Sequence, residues 1–447
     1  MRTTFDAVDR SDGTVLGSFP VQGEAEVHAA LAWAHEAAGA WAGASVGARC
    51  RVLRSWRGEL WRSSSRLAEL LHRESGLGFD DAMLEVLRTV EHLRWVEGHA
   101  GRALATTSVA RGLLSPELGS TSAWVPEGVV GVVSSGRPSL YAAASAVACA
   151  LAAGNTVVLQ PGVRVTATLV AYVEAFASAH PDAPAGVLQV LTGDDATAVA
   201  LAGAPVDRVC FLGAPVAGVR VSTAAARALV PVTVVPVLAP VTLVAPDADL
   251  DVAAAAVARL ARPGRAGDQD APPEVFVAPS VLDDFRAALL RVGGEASGRR
   301  GAVARALGRR SGPAELASPT GPVRVETAPA FEVLLERLQA HPSAQVAVHS
   351  ARHGAHLASL LSAAEVTVNL PGASYAGEGG GLPREALGAR GYGPFAGETG
   401  LRTFARTRTT TRKRRLPVPV APVEALLATP PGRVATRFAL HVRHSLD

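Results

Sequence analysis

The sequence predicts an α/β protein made of two successive α/β units with a helical layer in front of them. Three observations carry this. Short β-branched runs alternate with Ala-rich helical segments from about residue 129 onward, the alternation resumes more loosely after Asp247, and the apolar spacing before residue 105 is helical. Strands that are apolar on both faces and alternate with helices form a parallel sheet covered on both sides.

The helical layer is read from "EAEVHAALAWAHEAAGA" (24–40), "ARCRVLRSWRGELWRSSSRLAELLHRES" and "DDAMLEVLRTVEHLRWVEGHAGRAL". The first unit follows. "GVVGVVSS", "NTVVLQP", "GVLQVLTG" and "DRVCFLGA" read as strands. Each leads into a helix, the first starting near Tyr141 and the others at "TATLVAYVEAFASAH", "DDATAVALAGA" and "PVAGVRVSTAAARAL". In the second unit "EVFVAP", "AQVAVHS" and "EVTVNLP" are strands, with helices expected at 280–291, 329–340 and 352–363. A glycine-rich stretch at 374–400 precedes a basic and then Pro-rich tail. These changes place units at 1–236, 237–402 and 403–447, with no internal repeat.

Of the 447 residues, 48% are apolar and 19% charged, which excludes a disordered chain and allows a large core. The formal charge of +3 is too small to imply nucleic acid. Lys413 is the only lysine, so the basic character is arginine. Cys50, Cys149 and Cys210 are far apart and form no Cys-x-x-Cys pair, so no disulfide framework or zinc site is expected, and the compartment reads as a reducing cytoplasm. The opening "MRTTFDAVDRSDG" lacks the apolar core of a signal peptide. Gly154 and Asn155 break one apolar run, and Pro231, Pro236, Pro240 and Pro246 break another, so no membrane span is expected.

The order of segments resembles the aldehyde dehydrogenase superfamily from about Asp6 to about Phe404. "PEGVVGVV", "ACALAAGNTVVLQP", "PAGVLQVLTGD", "VDRVCFLGAPVAG", "PDADLD" and "GYGPFAGETGLRTF" follow one another as the family's motifs do. The resemblance implies a Rossmann-type cofactor domain, a second α/β domain of catalytic type and an oligomerisation arm. It also implies a chemistry. A cysteine thiolate attacks an aldehyde, a side-chain amide and a backbone N–H hold the oxyanion, NAD(P) takes the hydride, and a glutamate activates water.

Set against that pattern, the catalytic positions are replaced. The cysteine position falls on Gln269 or Asp270, in "GRAGDQDAPPEVFV", and no cysteine follows Cys210. The oxyanion-holding asparagine becomes Gly136, with Arg137 as the alternative. The base glutamate becomes Val235, and the glycines after it become Pro236, Val237 and Leu238. The ribose-holding lysine becomes Gln160 and its partner glutamate Val163, beside Arg164. The second ribose glutamate becomes Ser318, and the phenylalanine after it becomes Thr320. Gly213 and Gly218 remain at a helix start, where they serve either a phosphate or tight strand–helix packing.

Other patterns have plainer readings. Cys149 and Cys210 are expected as small core residues. "GASVG" (43–47) has the spacing of a hydrolase elbow but follows a helix. His349 and His353 lack a third metal ligand, and His341 and His356 read as surface residues. "RTRTTTRKRR" (406–415) suits an exposed strand edge better than a nucleic-acid contact. The function expected is a catalytically inactive, structural or regulatory subunit. The alternative is an NAD(P)-dependent oxidoreductase or nucleotide-binding sensor that uses the replaced residues. No cofactor is expected, NAD or NADP being the one if any. The partners expected are copies of itself or an active aldehyde dehydrogenase paralogue, not nucleic acid or membrane. Assembly would use a hairpin at about 108–125 and a strand at about 403–412 added to a neighbour's sheet.

Overall fold

A computed structural model describes residues 3–109, 118–135, 139–181, 183–184, 186–236, 241–261, 272–297, 314–318, 321–341, 343, 345–370, 381–386, 391–413 and 427–444. The chain opens with an antiparallel hairpin, β1 (Thr4–Val8) and β2 (Val15–Pro20). The helical layer follows: α1 (Glu24–Gly43), α2 (Val46–Arg62), α3 (Ser64–Ser75) and α4 (Phe79–Ala103). "GASVG" is the turn between α1 and α2, where Ser45 caps α2 by accepting from the Ala48 N–H at 3.2 Å. With a helix on each side and no strand before it, this is not an elbow.

The strand–helix alternation forms a parallel sheet. It contains β5 (Val129–Ser134), β6 (Thr156–Gln160), β7 (Leu188–Val190), β8 (Arg208–Gly213) and β9 (Val232–Pro236), in the order β7-β6-β5-β8-β9. The crossovers are α5 (Leu140–Ala153), α6 (Thr166–Ala179), α7 (Asp195–Gly203) and α8 (Pro215–Arg227). Every residue of α5 is buried. Its alanines let the helical layer press close, and the layer is pinned to it by polar groups. Trp41 Nε1 donates to Leu151 O at 3.1 Å, and the buried Arg49 Nε donates to Ala152 O at 3.0 Å. Gly154 ends α5 in the left-handed region at φ 103°, which only glycine adopts without strain.

The next residue ties four segments together. Asn155 Oδ1 accepts from the N–H groups of Glu127 (2.8 Å) and Gly128 (2.9 Å), and its Nδ2 donates to the carbonyls of Ala150 (3.0 Å) and Phe404 (2.7 Å).

A second sheet has the order β12-β13-β11-β10-β14-β15. Its members are β10 (Val241–Val244), β11 (Glu274–Val277), β12 (Ala314–Ser318), β13 (Gly321–Glu326), β14 (Gln345–His349) and β15 (Glu365–Val368). It is parallel apart from the antiparallel β12–β13 pair. Its helices are α9 (Leu250–Leu260), α10 (Leu282–Ser297), α11 (Phe331–Ala340) and α12 (Gly354–Leu360). His341, expected at the surface, is half-buried because its Nε2 lies 2.6 Å from a Glu274 carboxylate oxygen on β11.

Residues 384–404 return to the first sheet through β16 (Arg384–Ala386), β17 (Gly393–Phe395) and α13 (Gly397–Thr403). Tyr392 bridges Val234 of β9. The expected arm forms as a sheet in the order β18-β4-β3, from β3 (Thr107–Val109), β4 (Leu118–Pro126) and β18 (Ala405–Lys413). The basic strand therefore pairs along its whole length with β4 of its own chain. The reason is geometric: Asn155 holds Phe404 beside the Glu127 turn, so the following residues run back along β4 in register from Ala405–Pro126 to Lys413–Leu118. The other edge of β18 carries no strand among the described residues, and residues 406–413 are exposed. A final helix, α14, spans Pro430–His444. No helix among the described residues is long and apolar enough to cross a membrane.

Candidate functional site

In the first sheet β5 enters first. The chain then runs outward through β6 and β7 and crosses back to β8 and β9. The strand order reverses between β5 and β8, and such a reversal leaves a crevice at the carboxyl ends of the strands. A cavity of about 520 Å³ occupies this position. Its walls come from the end of β5 (Ser134, Ser135), the end of β6 and the turn after it (Gln160, Gly162, Val163, Arg164), the segment after β7 (Gly193, Asp194, Asp195), and the start of α8 (Ala214, Val216, Ala217, Arg220). The volume lies in the range of small-ligand sites.

Gln160 is the most informative group in it. The side chain is 2% exposed. Its Nε2 donates to Pro161 O at 2.9 Å and to Gly193 O at 3.3 Å, which commits both amide hydrogens. Its Oε1 has no hydrogen-bond partner. A buried acceptor left unpaired costs about 1–3 kcal/mol, and such groups are uncommon in folded proteins.

The opposite wall is the start of α8. Ala214 supplies no side-chain cap and Pro215 takes the first position, so the first-turn N–H groups are uncapped. Such a helix start favours an anionic group. The retained glycines have another explanation. A Cβ on Gly213 would sit 2.1 Å from Ser135 O, and one on Gly218 would sit 3.1 Å from Val234 Cγ1 and 3.2 Å from Phe211 Cε1. Both allow close packing of backbone or helix on the sheet, which is the structural half of the sequence reading.

The rim is mixed in charge. Asp194 Oδ1 caps α7, accepting from Ala196 N at 2.9 Å and Thr197 N at 3.3 Å. Asp195 and Arg220 form a long, exposed pair at 3.8 Å. Arg164 lines the same cavity, and Val163 is half exposed beside it. Asp194, Asp195 and Arg220 were not singled out from the sequence, although Asp194 before "DATAV" carries a helix-capping signal.

The other positions lie elsewhere. Val235 is half-buried on β9, paired with Leu212, and packs against the core around α5. Ser318 ends β12, the strand at the edge of the second sheet. Gln269, Asp270, Gly136, Arg137 and Thr320 fall outside the described residues.

All three cysteines are free and buried, on α2, α5 and β8. Burial pushes the Cys149 thiol far above its ordinary range and Cys210 up to about 12. Cys149 Sγ lies 3.7 Å from the buried His92 Nε2, within the core under the helical layer. A nucleophilic cysteine needs the opposite setting, a partly exposed thiol with a lowered pKa. Among the described residues no group of three His, Cys, Asp or Glu could hold a metal ion. His353 Nδ1 instead contacts Asp247 at 3.3 Å, within a turn where Asp247 also accepts from Ser350 Oγ at 2.8 Å.

Comparison with known proteins agrees with this architecture. The aldehyde dehydrogenase family model matches residues 1–292. A 4,4'-diapolycopene aldehyde oxidase of Methylomonas sp. is 31% identical over 256 residues, 57% of this chain and 48% of that one. A vanillin dehydrogenase of Amycolatopsis sp. is 35% identical over 228 residues, covering 50% and 45%. The chain thus spans about half the length of these curated relatives. Among solved structures, an NADP-dependent glyceraldehyde-3-phosphate dehydrogenase from Bacillus halodurans C-125, complexed with NADP, superimposes with a TM-score of 0.79 at 22% identity, over 92% of this chain and 96% of that one. An NAD-dependent aldehyde dehydrogenase from Sinorhizobium meliloti gives a TM-score of 0.78 at 22% identity, over 93% of each. With the family model covering more than half of its residues, the chain belongs to the aldehyde dehydrogenase family.

Proposed function

We propose that this chain is a catalytically silent aldehyde dehydrogenase-family subunit with a structural or regulatory role. The observation that carries the reading is the setting of its thiols. Cys149 and Cys210 sit deep in the core with their protons held tightly, Cys50 is buried on α2, and no cysteine follows Cys210. Gln269 and Asp270 offer no thiol, Gly136 no amide and Val235 no base, so thioester chemistry lacks each of its three groups. Units at 1–236, 237–402 and 403–447 and a cytoplasmic location are part of the same proposal. Assembly would use the free edge of β18, either between copies of this chain or with an active paralogue.

A second reading is favoured by the cavity. The buried, unpaired Gln160 Oε1 and the uncapped start of α8 suit a nucleotide held as a ligand. Gln160, Ser135 and the first turn of α8 would hold it. NAD or NADP bound there would supply a hydride acceptor, but with no residue to form the thioester the nucleotide acts as a signal.

The test is turnover. Purified full-length protein offered a broad aldehyde panel with NAD or NADP should form no NADH or NADPH above background. Robust turnover lost in Gln269→Ala or Asp270→Ala would overturn the reading.

A further inference from the structure

We infer that α14 is a surface anchor that lies in the headgroup plane of an anionic lipid membrane, with Val434 and Phe438 in the acyl boundary and Arg433 and Arg437 on the phosphates. Nothing in this depends on what the first-sheet crevice binds.

Charge points there first. Residues 405–447 hold nine Arg or Lys against two Asp or Glu, and the 404 residues before them hold 34 against 38. The end of the chain is thus positive by seven and the rest negative by four. No Asp or Glu lies within α14. Helices packed on the body mix their signs: α3 carries Arg66, Glu69, Arg73 and Glu74, and α11 carries Glu332, Glu336 and Arg337.

The helix has its own start. Thr429 Oγ1 accepts from the Gly432 N–H at 3.2 Å, and Pro430 and Pro431 stand in the first turn. Val434 and Phe438 follow one turn apart on one face, 68% and 67% exposed. Arg433, Arg437 and His441 are also exposed and also one turn apart, and they form the adjoining row, about 100° round the helix. Arg433 Nε donates to Leu427 O at 2.9 Å, which sets another exposed apolar residue beside the first turn.

A helix of 15 residues is marginal in water unless an apolar face is covered. A protein groove over Val434 and Phe438 would have to desolvate or pair the cations beside them, which is costly. An anionic lipid surface takes both rows at once. The apolar row sinks to the acyl boundary, the arginine stems follow it, and their heads stay at the level of the phosphates, which supply the negative charge that the helix lacks. The absence of a spanning run, which set membranes aside above, does not bear on a helix that lies in the headgroup plane.

The test is co-sedimentation of the full-length protein with vesicles of phosphatidylglycerol and phosphatidylcholine in equal parts, and with vesicles of phosphatidylcholine alone. Binding to the anionic vesicles should be at least about ten-fold tighter and should weaken with added salt. Replacing both Arg433→Ala and Arg437→Ala should weaken it about 30-fold, and Phe438→Ser about ten-fold. All three side chains are exposed, so these changes leave the fold intact. Equal binding to the two kinds of vesicle, binding to neither, or binding that survives both variants would overturn the inference. So would retention on duplex DNA that both variants lose while vesicles go unbound, which would make α14 a nucleic-acid contact. A lower oligomeric state in Phe438→Ser with no vesicle binding by wild type would likewise overturn it, in favour of a second copy of the chain as the occupant.

Discussion

Replacing Asn155 with alanine should loosen the joint between the helical layer, the first sheet and the arm. The side chain is fully buried and makes four hydrogen bonds, two accepted from Glu127 and Gly128 and two donated to Ala150 and Phe404. A hydrogen bond contributes about 1 kcal/mol net, and a buried group left unpaired costs about 1–3 kcal/mol. Four bonds lost at one site, with part of the loss recovered by water entering the space, give about 3–5 kcal/mol. At about 2–4 °C per kcal/mol for a unit of this size, the melting midpoint should fall by on the order of 10 °C. Tryptophan fluorescence is a suitable probe, because Trp41 donates to Leu151 O and Trp56 Nε1 to Tyr172 O inside the same layer. Hydrogen exchange gives a second readout: the β18 amides should exchange faster once Phe404 O is released. A midpoint within about 2 °C of wild type, with β18 protection unchanged, would refute the assignment of Asn155 as the joint.

Three further outcomes are expected. Burial raises the Glu74 carboxyl above its ordinary range even though it accepts from Ala167 N, Thr168 N and Thr168 Oγ1; the native state then binds this proton more tightly than the unfolded chain, so stability should fall as pH rises from about 4.5 through the folded pKa, and Glu74→Gln should remove that part of the slope in urea titrations. Cys149 and Cys210 should resist a thiol reagent at pH 8 until the protein unfolds, because burial holds both protonated; rapid native-state labelling of either would contradict their placement. Deleting residues 405–447 strips β4 of its nine-residue partner, and the oligomeric state by light scattering should drop or the protein should aggregate through the bared edge; an unchanged oligomer would remove β18 from the interface.

Much of the scaffold was legible because burial on both faces writes itself into composition. β5, β6 and β8 are runs of Val, Leu, Cys and Phe that cannot face water, and the Ala-rich α5 can only be an interior helix. The run "VTVVPVLAPVTLV" was harder. It read as one apolar stretch, but its halves are β9 of one sheet and β10 of the other, and periodicity carries no sign of which sheet a strand joins. α12, expected at 352–363, is the shorter Gly354–Leu360, because Asp247 and Ser350 hold the residues before it in a turn.

The sequence by itself determined the strand–helix order, the family's succession of motifs and the absence of any cysteine beyond Cys210, since each of these is a property of residue type and spacing along the chain. The tertiary structure alone decided that β18 pairs with β4 of its own chain, that Gly213 and Gly218 answer to packing, and that the Gln160 side chain is buried with both amide hydrogens committed. Those depend on which partners the fold leaves within hydrogen-bond reach. Pro161 and Gly193 use up the donors of Gln160 only because β6 and β7 end side by side, 33 residues apart in sequence.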